Sequence, residues 1–196
     1  MTDKMLSRWD TLIDRWPTAA AIVAGAGAVL VIVSLDREVE FFGPIVVVMA
    51  AIYLMAYALA RPWTVWIALA VLSAVVSVLL VLDGVGRLPV DPAVAMSIVA
   101  VLLWLWTVAR HRYTDAGTFW LQTAGMLGFG GVTLVCGLLA PRWGVLLVGL
   151  GFLAHGVWDA YYFRQNKVVH RPYAEFCGVL DAIVGPALIV AALVHP

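Results

Sequence analysis

The stretch that decides the fold is "WGVLLVGLGFLAHGVWDAYYF", Trp143 to Phe163. It is long enough to cross a bilayer core, which takes about 20 apolar residues per helix. It carries no lysine or arginine, but it holds one imidazole, His155, and one carboxylate, Asp159, four residues apart. Apolar stretches of similar length recur along the whole chain. They predict an all-α fold, a polytopic transmembrane helical bundle of seven spans at roughly 18–35, 42–60, 62–82, 92–109, 117–139, 143–163 and 174–194.

The breaks between spans are chemically marked. "DREVE" follows the first, "ARP" the second, "DGVGRLPVDP" the third, "RHRYTDAG" the fourth and "APR" the fifth, and "RQNKVVHRP" separates the last two. Pro62, Pro92 and Pro172 stand before or at helix starts, where the missing N–H costs nothing. Only 12% of the 196 residues are charged and 64% are hydrophobic, so the expected partner is the lipid bilayer. Zero formal net charge and the lack of a basic run exclude nucleic acid as an expected partner. Cys136 and Cys177 fall in separate spans toward opposite membrane faces, which argues against a disulfide between them.

Basic residues set the expected orientation. Lys4, Arg8, Arg15, Arg61, Arg110, Arg112, Arg164, Lys167 and Arg171 lie on the N-terminal side, against Arg37, Arg87 and Arg142 on the other. Nine against three places the N-terminus in the cytoplasm and the C-terminus outside, in a multi-pass protein of the cell (inner) membrane. Trp63, Trp66, Trp120, Trp143 and Trp158 lie mostly near span ends, where an aromatic belt is expected.

Residues 1–17 read as an amphipathic interfacial helix, because Met5, Trp9, Leu12, Ile13 and Trp16 recur at helical spacing among charges; residues 18–196 form the seven-span domain. No small-residue cleavage site precedes the first span, so the segment is expected to be retained. "AGAGAVLV" (24–31) over "LGFGGVTL" (127–134), and "FGPIVVV" (42–48) over "WGVLLVG" (143–149), hint at an internal repeat in which spans one to three recur as five to seven around the fourth.

Asp159 and Asp181 are the acidic residues well inside the spans, and an isolated aspartate at a span centre costs about 2.5–3.5 kcal/mol. Such a cost is offset by pairing, protonation or a wet cavity. His155 and Asp159 share a face of span six, and Cys177 and Asp181, also four apart, share a face of span seven. With the two spans antiparallel, the four residues are expected to form a square near the cytoplasmic face, pairing His155 with Asp181 and Asp159 with Cys177. Three readings stay open. All four are zinc-ligand types, and His155, Asp159 and Asp181 are also candidate acid/base groups, so the square could hold a divalent metal in a membrane enzyme acting on a lipid-soluble substrate. It could relay protons or bind a cation in a transporter. It could instead only pack two helices.

Other residues are read more plainly. Tyr53 and Tyr57 share a face of span two and are taken first as core aromatics, with hydrogen bonds into the bundle as the alternative. Gln122 is expected to make an interhelical bond. Pro186 should free a carbonyl near Ala182 and kink span seven. Glu38, Glu40 and His170 read as solvated loop residues, with His170 folding back as a ligand as the alternative. Retinal is excluded as a cofactor, since Lys4 and Lys167, the only lysines, both lie outside the spans.

Gly151, Leu153, His155, Trp158, Asp159, Pro172, Cys177 and Asp181 together resemble a pattern in a family of small bacterial integral membrane proteins of unknown function. The resemblance covers about the last quarter of the chain and implies that the constellation travels as a unit. The family pattern favours a histidine three or four residues after the first aspartate; here Tyr162 and Phe163 stand there. A looser, architectural likeness is to seven-span membrane hydrolases of the ceramidase and adiponectin-receptor types. Their paired histidines at four-residue spacing are missing here.

Overall fold

The computed structural model describes residues 15–34, 37–87 and 89–194. Most of the expected N-terminal amphipathic helix lies outside the described residues. Among the described residues seven α-helices follow one another: α1 Trp16–Ser34, α2 Glu38–Leu59, α3 Val65–Gly84, α4 Pro92–Ala109, α5 Ala116–Cys136, α6 Pro141–Gln165 and α7 Arg171–Val194. Short 3-10 turns at Pro62–Thr64 and Arg112–Thr114 lead into α3 and α5. Each helix is long and apolar enough to span a bilayer, α3 together with its leading turn. The described residues contain no strand.

Local chemistry sets the helix ends. Asp91 caps α4, its Oδ1 accepting from the N–H of Ala93 at 2.7 Å, and Pro92 follows at the first helical position. Asp115 caps α5 through the N–H of Thr118. α2 opens with Glu38 and Glu40, which suit the positive end of the helix dipole, and stops at Ala60 in the left-handed region. α6 stops at Asn166, also left-handed, whose N–H returns to the Tyr162 carbonyl at 2.8 Å. Both internal prolines, Pro44 in α2 and Pro186 in α7, lie within unbroken helix.

α2 is the central element. Its residues from Phe42 to Ala58 are buried almost all round, and it packs on α3, α4, α5 and α6. α7 packs on α6, and α1 lies along α7. At the N-terminal face Glu175 fastens α1 to α7, accepting a hydrogen bond from the Thr18 hydroxyl with Arg15 3.7 Å away. Corresponding helices of the suggested repeat pack differently: α1 lies along α7, whereas α5, its counterpart, packs on α2, α4 and α6. Trp63, Trp120 and Trp143 are exposed near helix ends, as a belt requires. Trp158 is different. Its indole fills the notch of Gly125 on α5, where an added Cβ would lie 2.8 Å from Cη2.

Candidate functional site

The site grows from the contact between α6 and α7, which run antiparallel with a short loop between them. Glycines bring the two backbones together. A Cβ on Gly149 would lie 2.9 Å from the Gly185 carbonyl oxygen, and a Cβ on Gly185 would lie 3.0 Å from that of Gly149. Two turns toward the N-terminal face, a Cβ on Gly156 would lie 3.4 Å from the Asp181 Cβ, and a Cβ on Gly178 would lie 3.4 Å from the Asp159 Cβ. Each aspartate is therefore seated against the other helix's glycine. The sequence states the relation as two near-identical words, "GVWD" (156–159) and "GVLD" (178–181), which meet head to tail.

This seating brings three groups together. His155 Nδ1 and Asp181 Oδ2 lie at hydrogen-bond distance, 2.8 Å. Asp159 Oδ2 lies 3.2 Å from the same nitrogen. His155 and Asp159 are 0% exposed and Asp181 1%. One ligand-type atom from each of the three lies within 4.8 Å of the other two. The other oxygen of Asp159, Oδ1, accepts a 2.5 Å hydrogen bond from the hydroxyl of Tyr53 on α2. Phe129 of α5 and Tyr53 flank the imidazole with ring centroids at 5.1 Å and 5.7 Å.

Cys177 does not complete the expected square. The three-residue group excludes it, and Asp159 takes the Tyr53 hydroxyl in place of the thiol. The reason is angular. The α7 surface facing Asp159 is Gly178, and the adjacent residue lies about 100° round the helix. Cys177 instead joins the buried group that contains Tyr53, Tyr162 and Tyr173. Both cysteines are free and buried.

Tyr53 is the residue that sequence reasoning undervalued. It is 0% exposed and packs on Tyr162 at 5.0 Å and on Tyr173 at 6.1 Å, as a core aromatic would, yet its hydroxyl is spent on the central carboxylate. Tyr57 also bonds into the bundle, donating to the Arg112 carbonyl at 2.7 Å. Gln122 makes the expected interhelical bond, its Nε2 donating to the Tyr162 hydroxyl at 2.7 Å. His170 stays outside the three-residue group; it is half-buried before α7, with Nδ1 enclosed. Glu38 and Glu40 line a cavity of about 520 Å³ at the opposite face, with Asp83 and Asp91.

The electrostatics of the group are unbalanced. Two carboxylates share one imidazole, and among the described ion pairs His155 is their only basic neighbour. Either a further proton or a cation has to neutralise the cluster in so dry a place. Two of its buried atoms, His155 Nε2 and Asp159 Oδ2, have no hydrogen-bond partner among the described residues. The donor set of one nitrogen and two carboxylate oxygens matches zinc, whose bonds to such atoms run about 2.0–2.2 Å. The residues present therefore fit a divalent ion, with three ligands from two helices. Comparison of the chain with protein families, with curated proteins and with solved structures finds no match.

Proposed function

We propose that this protein is a multi-pass metalloprotein of the cell (inner) membrane, with its N-terminus in the cytoplasm. His155, Asp159 and Asp181 hold one divalent ion, zinc being the first candidate, close to the cytoplasmic side. The observation that carries the reading is a fully enclosed His–Asp–Asp group whose ligand atoms converge while one carboxylate oxygen is left without a hydrogen bond. Three protein ligands are the complement of catalytic rather than closed structural zinc sites. Zinc so held supplies Lewis acidity and an activated water, and in this surrounding the substrate class is lipid-soluble molecules.

A transport function finds less support. On the side of His155 away from the N-terminal face, α6 and α7 close on each other at Gly149 and Gly185. A purely structural role is favoured by one observation, that Tyr53–Asp159 and His155–Asp181 already tie α2, α6 and α7 together.

The test is elemental analysis of protein purified without chelator and then equilibrated with zinc. The expected result is close to one equivalent of metal per chain, lost in His155→Ala. Metal well below one equivalent, or unaffected by that substitution, removes the reading.

A further inference from the structure

The metal reading leaves open how an ion reaches a group that is wholly enclosed. Resting on that reading, we infer that the centre is loaded from the N-terminal face, through a cavity of about 280 Å³ that Tyr162 lines.

The cavity lies between the start of α5 and the end of α6, lined among others by Asp115, Gly117, Thr118, Gln165 and Lys167. Tyr162 lines it and follows Asp159 by three residues on α6, so the cavity comes within about 4.5 Å of the carboxylate's level along the helix axis. The groups between cavity and centre are aromatic side chains that carry hydroxyls, within the buried cluster that also holds Phe119 and Met126. The Tyr162 hydroxyl accepts from Gln122, the Tyr162 ring lies 5.0 Å from that of Tyr53, and the Tyr53 hydroxyl bonds Asp159. The Tyr162 and Tyr53 hydroxyls are the oxygen atoms this side presents ahead of the Asp159 carboxylate.

The opposite side is farther from the centre. The larger cavity there reaches Val145 on α6, ten residues or about 15 Å short of His155, and Pro44 on α2, nine residues short of Tyr53. On α5 it reaches Thr133, one turn from Phe129, but the Thr133 hydroxyl is spent on the Gly43 carbonyl at 2.9 Å. Between it and the imidazole stand Phe42, Val46, Phe129 and Phe152, one continuous apolar group. Phe42 and Phe152 meet edge to face at 6.1 Å.

Two glycines make a matched test. Gly117 lines the first cavity and Gly137 the second, and a Cβ on either meets nothing within 4 Å. Gly117→Trp and Gly137→Trp therefore add bulk beside one cavity each, with room for the Cβ. The probe is Co²⁺ added to chelator-stripped full-length protein in detergent, followed by its visible absorption. Gly117→Trp is expected to slow uptake by about tenfold or more with the final absorbance unchanged, and Gly137→Trp to stay within about twofold of wild type. Tyr162→Phe, which keeps the ring and removes the hydroxyl, is a second probe of the same route and should slow uptake in the same direction. Unchanged rates in both Gly117→Trp and Tyr162→Phe, or slowing by Gly137→Trp alone, overturn the route while leaving the metal centre standing. Wild type that takes up no Co²⁺ overturns the proposed function and the route together.

Discussion

Tyr53 on α2 donates its hydroxyl proton to Asp159 on α6 across 2.5 Å, with both residues 0% exposed. The bond joins the most deeply buried helix of the bundle to the polar group between α6 and α7, and it occupies Oδ1 so that Oδ2 is the oxygen turned toward His155. Tyr53→Phe keeps the ring and its packing but removes the donor. A hydrogen bond to a charged group contributes about 1.5–3 kcal/mol, so the variant should melt below wild type in detergent. If the centre binds zinc, affinity should also fall by about 10–100-fold, the usual effect of losing a group that orients a ligand. An unchanged melting midpoint together with unchanged affinity would reduce Tyr53 to a core aromatic.

Asp181 separates a metal site from a packing device. Asp181→Asn keeps most hydrogen bonds and removes a buried charge, a change that is neutral or stabilising when the charge only packs. Where an ion is held, the same change removes a ligand charge, and metal-binding free energy is also folding free energy. The measurement is the thermal midpoint of both proteins with and without chelator. On the metal reading, chelator lowers the wild-type midpoint and leaves Asp181→Asn unmoved. No chelator effect on either, with the variant at or above wild type, identifies His155, Asp159 and Asp181 as a helix fastener.

The glycine contacts predict unequal effects from one substitution. Gly149→Ala drives a methyl to 2.9 Å from the Gly185 carbonyl oxygen and from Ile189 Cγ1, and backbone cannot yield locally. It should cost about 1–3 kcal/mol, as overpacking does. Gly156→Ala places its methyl 3.4 Å from the Asp181 Cβ, an ordinary contact, and should change stability by less than about 1 kcal/mol. Equal melting midpoints for the two variants would contradict the close approach at Gly149.

At the N-terminal face Lys167 Nζ lies 2.9 Å from Asp115 Oδ2 and donates to the Thr118 hydroxyl at 2.8 Å. The Lys167 hydrogen bond, and then that of Thr118, holds the Asp115 carboxyl below its ordinary range. A lowered folded-state value means the contribution is present above the unfolded value of about 3.9 and is lost as pH falls through the lower folded one. Both side chains are well exposed, so the pair is worth at most about 1 kcal/mol. Lys167→Met should lower the midpoint slightly at neutral pH, and the difference from wild type should shrink below about pH 4. A difference that persists undiminished in acid would point to lost packing rather than lost charge.

Much of the architecture was legible in the chain because a bilayer imposes a length and a polarity on every segment that crosses it. Span four was read to the residue, at Pro92–Ala109, since Asp91 and Pro92 announce its start. The other boundaries moved by a few residues, most at α2, which begins at Glu38 because acidic residues are at home in a helix's first turn. The pairing of His155 with Asp181 was legible too, from two four-residue spacings on neighbouring antiparallel helices.

What the sequence alone determined is thus the seven helices long and apolar enough to cross a bilayer, their approximate limits, and the presence of carboxylates that a membrane interior tolerates only in company. Which company they keep was decided by tertiary structure. Spacing along one helix fixes which residues share a face to within a wide arc, but the rotation of α7 against α6 follows from where the backbones approach most closely, at Gly149 with Gly185 and at Gly156 and Gly178. That rotation turned Cys177 away. The choice of Tyr53 as partner depended on α2, separated from Asp159 by 106 positions in the chain, and no local pattern carries a relation of that range. A tyrosine in an apolar span looks the same whether its hydroxyl meets a carboxylate or a carbonyl; only the packing of α2 against α6 decides which acceptor lies in reach.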